Sequence, residues 1–350
     1  AIFDHTLKGR QPLVLYASHP DFEQTNVIQG ELGEGTGGVT EPVRRRIVLP
    51  FGGPLGDTDH VIGHELVHAF QFDITTRTNS QPGENGAERL PLWFIEGMAE
   101  YLSLGSVDAN TAMWVRDALV HEKLPTIDKL DDPDYFPYRW GQAFWAYVAG
   151  TYGDRVIGEL LDVAALAPDL DLAFKRVLGV GKKELSTAWQ RSISDTYGPM
   201  LASTSRETGH LVIGKPGEGL AGQLNVGPSI SPDGRWIAFL SERNLLSIDL
   251  YVADASTGKI LHKLTSTASD PHYSSIQFIY SAGGWDRTST KLAIAVVTGG
   301  KPALAIYDAM RGSKEREIPV ADVDEIFNPV WAPDGHAICY TAMSGGLLDL

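Results

Sequence analysis

The sequence predicts an α+β fold in two domains, a mainly helical domain with a small sheet and an all-β domain after it. Three observations support this prediction. The 350 residues exceed what one ordinary hydrophobic core holds. Patterns of helical period prevail up to about residue 200. Short apolar runs separated by Gly, Pro, Asp and Ser follow, which is typical of many short strands, so we place the domains at 1–204 and 205–350.

The composition is that of a soluble globular protein, with 43% hydrophobic and 21% charged residues. The 44 acidic residues outnumber the 29 basic ones, and a net charge of -15 disfavours nucleic acid as a partner because phosphate is also negative. Cys339 is the only cysteine, which excludes an internal disulfide and a cysteine-based zinc site. No apolar run reaches the roughly 18 residues that span a bilayer. The chain starts with Ala and without a signal peptide, so we expect a processed or trimmed start.

Two strands and a long helix are predicted at the start of the first domain. Residues 12–17 and 45–51 are rich in strand-forming side chains, and Pro50 favours the end of a strand or the edge of a sheet. Asp57 and Thr58 are suited to cap the helix that follows.

The next helix is predicted at Leu92–Leu104, because Pro91 suits its first turn and Gly105 suits its end. Three later helices are predicted near 141–152, 154–165 and 183–197.

The second domain repeats one motif. Residues 231–239 (SPDGRWIAF) recur at 332–340 (APDGHAICY), and a degenerate copy lies at 286–294. The aligned residues Ile237, Leu292 and Ile338 are 55 and 46 residues apart. A unit of a turn, a strand, a second strand and another turn that repeats at this period is typical of propeller blades. The repeats resemble the TolB-like β-propeller family over about residues 210–350. Only about three blades fit, whereas closed propellers usually have at least four, so we expect an incomplete propeller, continued by a longer natural chain or completed by a second chain.

The central motif of the first domain is the run HELVH at residues 64–68. Side chains four residues apart share one face of a helix, so His64 and His68 can reach one ion. Neutral imidazole is a good zinc ligand. Glu65 can then take a proton from a water that zinc has acidified, which makes it the predicted catalytic base.

A catalytic zinc needs a third protein ligand and one open position. The candidate is Glu96, which follows His68 after 27 residues and lies early on the next predicted helix. The chain here resembles the gluzincin metallopeptidases, the thermolysin-like and related aminopeptidase families, over about residues 12–200. In the aminopeptidases the ligating Glu stands in an Asn-Glu-Gly-x-Ala context, and residues 95–99 (IEGMA) match it except for the Asn. The resemblance implies Zn²⁺ bound by two His and one Glu.

Further roles follow from the same resemblance. Glu100 lies one helical turn beyond Glu96, where thermolysin-like enzymes have an acidic residue that holds a zinc-bound His; the alternative is a solvated carboxylate. Related gluzincins use a downstream Tyr or His as oxyanion donor, and Tyr138 is our candidate, with Tyr135 as its competitor and a packing role as the alternative.

His60 precedes His64 by four residues. Residues eight apart on a straight helix with a rise of about 1.5 Å per residue diverge from one ion, so we expect His60 to be a pocket wall or a core His. The strand at 45–51 is a candidate for binding substrate backbone by strand addition. Residues 37–41 loosely resemble the substrate-binding strand of the aminopeptidases, but we do not assign Glu41 as an amine anchor.

The sequence therefore predicts a zinc-dependent peptidase that acts on a peptide or protein substrate. The alternatives are a non-catalytic, zinc-stabilised scaffold whose propeller binds a protein partner, and a zinc enzyme with another substrate, such as an ester. Retention of Glu65 argues against the scaffold, because a structural site has no use for a base. The resemblance to bacterial envelope proteins predicts a periplasmic or extracellular location.

Overall fold

The structure, a computed structural model, falls into two compact units. It describes residues 2–27, 32, 35–51, 55–77, 80–203, 211–213, 224–243, 248–267, 272–273, 275–276 and 283–349. The first unit comprises Ala1–Leu15, Gly38–Leu49 and Gly56–Glu207, and the second comprises Tyr16–Gly37, Pro50–Leu55 and Thr208–Leu350. The sequence-based boundary at 204/205 assigns Tyr16–Gly37 and Pro50–Leu55 to the first domain, whereas the structure groups both segments with the second unit.

The helices in chain order are α1 (His19–Glu23), α2 (Leu55–Thr75), α3 (Leu92–Leu104), α4 (Ala109–Val120), α5 (Pro137–Tyr152), α6 (Arg155–Ala164), α7 (Leu170–Leu178) and α8 (Lys182–Ser203). The strands are β1 (Leu13–Tyr16), β2 (Val39–Glu41), β3 (Arg46–Pro50), β4 (Asn225–Ile230), β5 (Trp236–Ser241), β6 (Asp249–Asp254), β7 (Ile260–Lys263), β8 (Ser275–Ile276), β9 (Gly284–Trp285), β10 (Lys291–Thr298), β11 (Lys301–Asp308), β12 (Ser313–Pro319), β13 (Glu325–Trp331), β14 (Ile338–Ser344) and β15 (Leu347–Asp349).

The small sheet has the order β1-β3-β2. Of the two positions that Pro50 favours, the strand end is observed and the sheet edge is not, because β3 is the central strand. Its apolar residues explain the position, since Ile47, Val48 and Leu49 are all buried, as befits a strand covered on both faces. Pro50 ends the strand, as its missing N–H requires, and the edge beside the candidate site belongs to β2.

The long helix α2 begins at Leu55. The predicted caps, Asp57 and Thr58, therefore lie within the first turn, which corrects their assignment. Asp57 still suits this position, because a carboxylate interacts favourably with the positive end of the helix dipole.

The other predicted helices are present, with shifted ends. Helix α3 has the predicted bounds, and Gly105 follows it with a φ of 87°. Helix α5 begins four residues earlier than predicted, and α8 continues through Pro199 to Ser203. Helices α4 and α7 were not predicted, although Asp108 and Asp169 cap them by accepting from backbone amides.

Helices α3 and α5 cross at two glycines. A Cβ on Gly97 would lie 2.2 Å from the Cα of Gly141, and one on Gly141 would lie 2.1 Å from the carbonyl oxygen of Trp93. Only glycine permits this approach. The core of the first unit is built around the crossing from fully buried aromatic side chains: Trp93, Phe94, Phe144, Trp145, Phe174 and Trp189. The close approach fixes where α3 presents Glu96 and where α5 begins.

The strands of the second unit form antiparallel sheets that resemble propeller blades. Their orders are β4-β5-β6-β7, then β12-β11-β10-β8 with β9 also paired to β10, and β13-β14-β15. The repeated Ser-Pro-Asp-Gly motif forms the turn between β4 and β5. There Ser231 donates to Asp233 at 2.6 Å, and Gly234 has a φ of 73°, which the turn requires.

The second unit buries an acidic residue, Glu325, which is 4% exposed. Its Oε1 accepts a hydrogen bond from the backbone N–H of His19 at 2.5 Å. Burial raises the pKa of Glu325 to about 7; the His19 N–H and ring charge oppose this shift, while the charges of Glu23 and Asp324 add to it. The pKa of His19 is also raised, because the bond to Glu23 and nearby negative charge outweigh the lowering effect of burial.

We expect the second unit to lose stability as the pH rises through about 7. The folded-state pKa of Glu325 lies above its unfolded value, so its contribution is present below the unfolded pKa and lost above the folded one. Glu325→Gln should therefore raise the free energy of unfolding at pH 8 by on the order of 2 kcal/mol, with little change at pH 4. His19 shifts in the same direction, so a smaller pH dependence should remain.

Urea denaturation of both proteins at pH 4 and pH 8, followed by β-sheet circular dichroism, measures this effect. The matched control is Glu242→Gln, because Glu242 is exposed. A Glu325→Gln variant no more stable than the parent chain at pH 8 contradicts the prediction.

Candidate metal centre

Two imidazoles and a carboxylate converge between α2 and α3. The Nε2 atoms of His64 and His68 lie 3.0 Å apart. The Oε2 of Glu96 lies 3.0 Å from the first and 3.2 Å from the second. The structure thus brings together the three residues that the sequence nominates as ligands.

The spacing of these donor atoms fits a tetrahedral zinc ion. Bonds of about 2.0–2.1 Å place tetrahedral donors about 3.3–3.4 Å apart, close to the three distances here. Two imidazole nitrogens and one carboxylate oxygen are also a donor set that zinc accepts. Three protein donors leave one of four positions open, as catalytic zinc sites require.

The electrostatics of the three residues favour positive charge. The pKa of His64 is raised to about 9: burial lowers it, but the bonds to Glu100 and Glu96 outweigh that effect. The pKa of Glu96 is lowered to about 2, because its bonds to His64 and His68 outweigh the burial that would raise it. A bound cation would take the place of these protons.

The ring of His68 is oriented by an amide that sequence reasoning missed. Its Nδ1 lies 2.7 Å from the Oε1 of Gln71, and the Nε2 of Gln71 donates to the carbonyl of Ile95 at 2.9 Å. The amide orientation requires the His68 proton on Nδ1, which leaves the Nε2 lone pair for a metal. The signal was available, because Gln71 follows His68 by three residues and shares its helix face.

The ring of His64 rests against Glu100, which is 3% exposed. The Nδ1 of His64 and the Oε1 of Glu100 are 3.0 Å apart, and the Nη1 of Arg139 lies 3.0 Å from the other oxygen. The alternative of a solvated carboxylate is thereby wrong. Arg139 went unnoticed in the sequence, although it directly follows Tyr138.

His60 contacts Glu100, with an Nε2–Oε1 distance of 3.2 Å, and its ring packs edge-on against that of His64, with centroids 6.0 Å apart. His60, His64 and Glu100 form a second group with ligand-like spacing. Arg139 already supplies a positive charge to the same carboxylate, which disfavours a cation there. His60 thus supports Glu100 from the side.

Glu65 is buried and held by β2. The hydroxyl of Thr40 lies 2.7 Å from its Oε2 and 2.8 Å from its carbonyl oxygen; with one hydrogen, it can donate to only one of them. A Cβ on Gly38 would lie 2.9 Å from the Cγ of Glu65. Neither residue was identified in the sequence as a neighbour of Glu65, because the contact joins positions 25 apart in the chain.

Tyr138 stacks on His64, with ring centroids 5.8 Å apart and an angle of 19° between the planes. Burial and then the charges of Glu96 and Glu65 raise the pKa of Tyr138, which keeps the phenol protonated and able to donate. Tyr135 is engaged elsewhere, since its hydroxyl donates to the carbonyl of Lys123 at 3.3 Å.

Glu41 is 9% exposed and contacts two guanidinium groups. Arg44 lies 3.3 Å from one of its oxygens, and Arg46 contacts the other. Both oxygens of Glu41 are thus paired with arginines within the first unit.

No protein-family model matches the chain, and no curated protein matches it. Among solved structures, a protein from Agrobacterium tumefaciens described as TolB is 16% identical, with a TM-score of 0.30 over 37% of this chain and 42% of that one. TolB from Acinetobacter baumannii is 15% identical, with a TM-score of 0.28 over 48% and 45%. The β-propeller domain of the trilobed protease from Pyrococcus furiosus is 22% identical, with a TM-score of 0.24 over 33% and 34%. This chain spans less than half the length of each.

Within the part of the chain that the structure describes, no helix combines the length and the apolar character needed to cross a membrane.

Proposed function

We propose that this chain is a zinc-dependent peptidase. The observation that carries the proposal is the convergence of His64, His68 and Glu96, with donor atoms 3.0–3.2 Å apart. Glu65 belongs to neither ligand-like group among the described residues, so we assign it as the base rather than as a ligand.

The residues have distinct roles in this proposal. His64, His68 and Glu96 would hold zinc, whose Lewis acidity acidifies water and polarises a substrate carbonyl. The carboxylate of Glu65 takes the proton from the attacking water and later gives it to the leaving amine. Tyr138, protonated beside His64, donates a hydrogen bond to the oxygen on which negative charge develops.

The substrate backbone has a suitable strand beside this group. Strand β2 pairs with β3 alone among the strands described, so its other edge has no partner strand among them. Thr40 in β2 contacts Glu65, which brings this edge close to the proposed base. An extended peptide could add to it by main-chain hydrogen bonds, so β2 replaces the 45–51 strand in this role.

Metal removal tests the proposal. We expect about one zinc per purified chain by mass spectrometry of metals, and cleavage of a peptide mixture that 1,10-phenanthroline stops and added Zn²⁺ restores. Zinc supplies several kcal/mol of transition-state stabilisation in such reactions, so the loss should be nearly complete. His68→Ala should also remove both zinc and cleavage.

His121→Ala is the matched control, because His121 is a surface histidine with 59% side-chain exposure. A chain that binds zinc stoichiometrically but cleaves nothing would favour the scaffold interpretation instead. A chain that binds no zinc would refute both. The periplasmic or extracellular location stays a prediction.

A further inference from the structure

An aromatic strip leads away from the proposed metal centre. It consists of Tyr138, Phe136 and Trp114. Tyr138 stacks on His64, the rings of Phe136 and Tyr138 lie 5.1 Å apart, and those of Trp114 and Phe136 lie 5.7 Å apart. Two of the three rings are partly open to solvent, since Phe136 is 43% and Trp114 is 38% exposed.

The strip ends at a groove of about 800 Å³. Its apolar walls are Met113, Trp114, Tyr135 and Trp140. The volume lies within the range of sites for small ligands, so it can hold a large side chain together with adjoining peptide backbone. Contiguous exposed apolar surface of this kind marks binding sites more often than it marks a bare surface.

The walls of the groove are held in place before any ligand arrives. The ring of Trp140 is buried and packs edge-to-face on Tyr135 at 5.6 Å. The hydroxyl of Tyr135 donates to the carbonyl of Lys123. A pre-formed site costs less ordering on binding, and aromatic and thioether walls favour an aromatic guest.

The distance from the centre sets the register of a bound peptide. Three centroid steps of 5.1–5.8 Å limit the distance between the rings of His64 and Trp114 to about 17 Å. An extended chain advances about 3.3–3.6 Å per residue. The groove therefore lies no more than about five residues along a peptide whose scissile bond is at the metal.

We propose that this groove is a remote specificity subsite, which binds one bulky apolar, preferably aromatic, side chain of an extended peptide substrate within about five residues of the scissile bond. This inference rests on the proposed peptidase function. The choice of occupant follows from continuity, because the aromatic strip joins the groove to Tyr138 without a break. Asp117, Asp134 and Lys123 also line the groove, so charged groups stand beside the apolar walls, and the peptide backbone can hydrogen-bond to them.

Matched peptides test the subsite. Quenched fluorescent twelve-residue peptides with one fixed, central cleavage sequence would carry Trp or Ala at each position from two to six residues away on either side. We expect kcat/KM to be about 10-fold higher for Trp than for Ala at one offset of no more than about five residues, mainly through KM, as burial of one aromatic ring implies.

Variants of Trp114 give the decisive comparison. Trp114→Ala should bring the Trp-to-Ala ratio of kcat/KM close to one, and Trp114→Phe should restore most of it. Leu166→Ala is the control, because Leu166 is an exposed apolar residue outside the groove. If the Trp-to-Ala ratio of kcat/KM is the same in Trp114→Ala and in the parent chain, the proposal of a subsite is overturned.

Binding separates this inference from the proposed function. Binding of the labelled Trp and Ala peptides to the Glu65→Gln variant is measured by fluorescence anisotropy. This measurement requires no cleavage of the peptide. Binding that favours the Trp peptide and depends on Trp114, without cleavage by the parent chain, refutes the peptidase but supports the groove. Peptide cleavage with the same Trp-to-Ala ratio of kcat/KM in Trp114→Ala and the parent chain refutes the subsite but not the peptidase function. Peptide-independent dimers that Trp114→Ala abolishes would identify the groove as a contact between two copies and overturn the proposal.

Discussion

Glu65→Gln is expected to lower kcat for peptide hydrolysis by about 10²–10⁴-fold, the range for loss of a general base, while zinc content stays at one per chain. The amide is nearly isosteric with the carboxylate and can still accept from Thr40, which lies 2.7 Å from Oε2. It cannot take a proton. Steady-state kinetics on a quenched peptide, with metal analysis of the same sample, measures both quantities.

Two further variants test this expectation, one at the same residue and one as a control. Glu65→Asp keeps the carboxylate one methylene further back, so its kcat should fall between those of the parent chain and Glu65→Gln. Glu159→Gln, an exposed residue on α6, makes the same chemical change away from the centre and should leave kcat as it is. Cleavage by Glu65→Gln at the parent rate would show that Glu65 is not the base.

Gly97→Ala is expected to destabilise the first unit by about 3 kcal/mol or more, at or above the usual range for overpacking. The added methyl would lie 2.2 Å and 2.3 Å from backbone atoms of Gly141. Backbone atoms cannot rotate away as a side chain would, so α3 and α5 must separate. Urea denaturation, followed by helical circular dichroism, measures the free energy of unfolding.

The same variant should weaken zinc binding. Glu96 adjoins Gly97, so separation of α3 from α5 moves a proposed ligand relative to His64 and His68 on α2. Competition with a chromogenic chelator measures this loss apart from any activity. Gly150→Ala on α5 is the control, because nothing lies within 4 Å of its added Cβ and Ala favours helix over Gly by about 1 kcal/mol. Equal unfolding midpoints for Gly97→Ala and the parent chain would contradict the expectation.

Local geometry explains what the sequence could predict. The four-residue spacing of His64 and His68 fixes their common face in any helix, and the same rule relates Glu96 to Glu100. Helix ends marked by glycine, such as Gly105, were equally predictable. Asp108 and Asp169 are local capping signals for α4 and α7, and hydrophobic periodicity does not detect such caps.

Long-range pairing explains what it could not predict. The strand at 45–51 has the same residues whether it lies in the centre or at an edge, and only its pairing with both β1 and β2 decides the matter. The contacts of Thr40 with Glu65 and of Arg139 with Glu100 join residues far apart in sequence. Nothing in the spacing of such residues encodes their proximity.

The membership of Tyr16–Gly37 and Pro50–Leu55 in the second unit bears on how the chain can be dissected. A fragment starting at residue 205 would lack His19, and the carboxylate of Glu325 would lose its amide donor. It would also lack Phe51, whose ring lies against Gly346 so closely that an added Cβ would sit 2.5 Å from it. Expression of the second unit by itself therefore requires that both early segments be covalently joined to residues 208–350. A chain cut once, at residue 205, separates His19 and Phe51 from the residues that they contact.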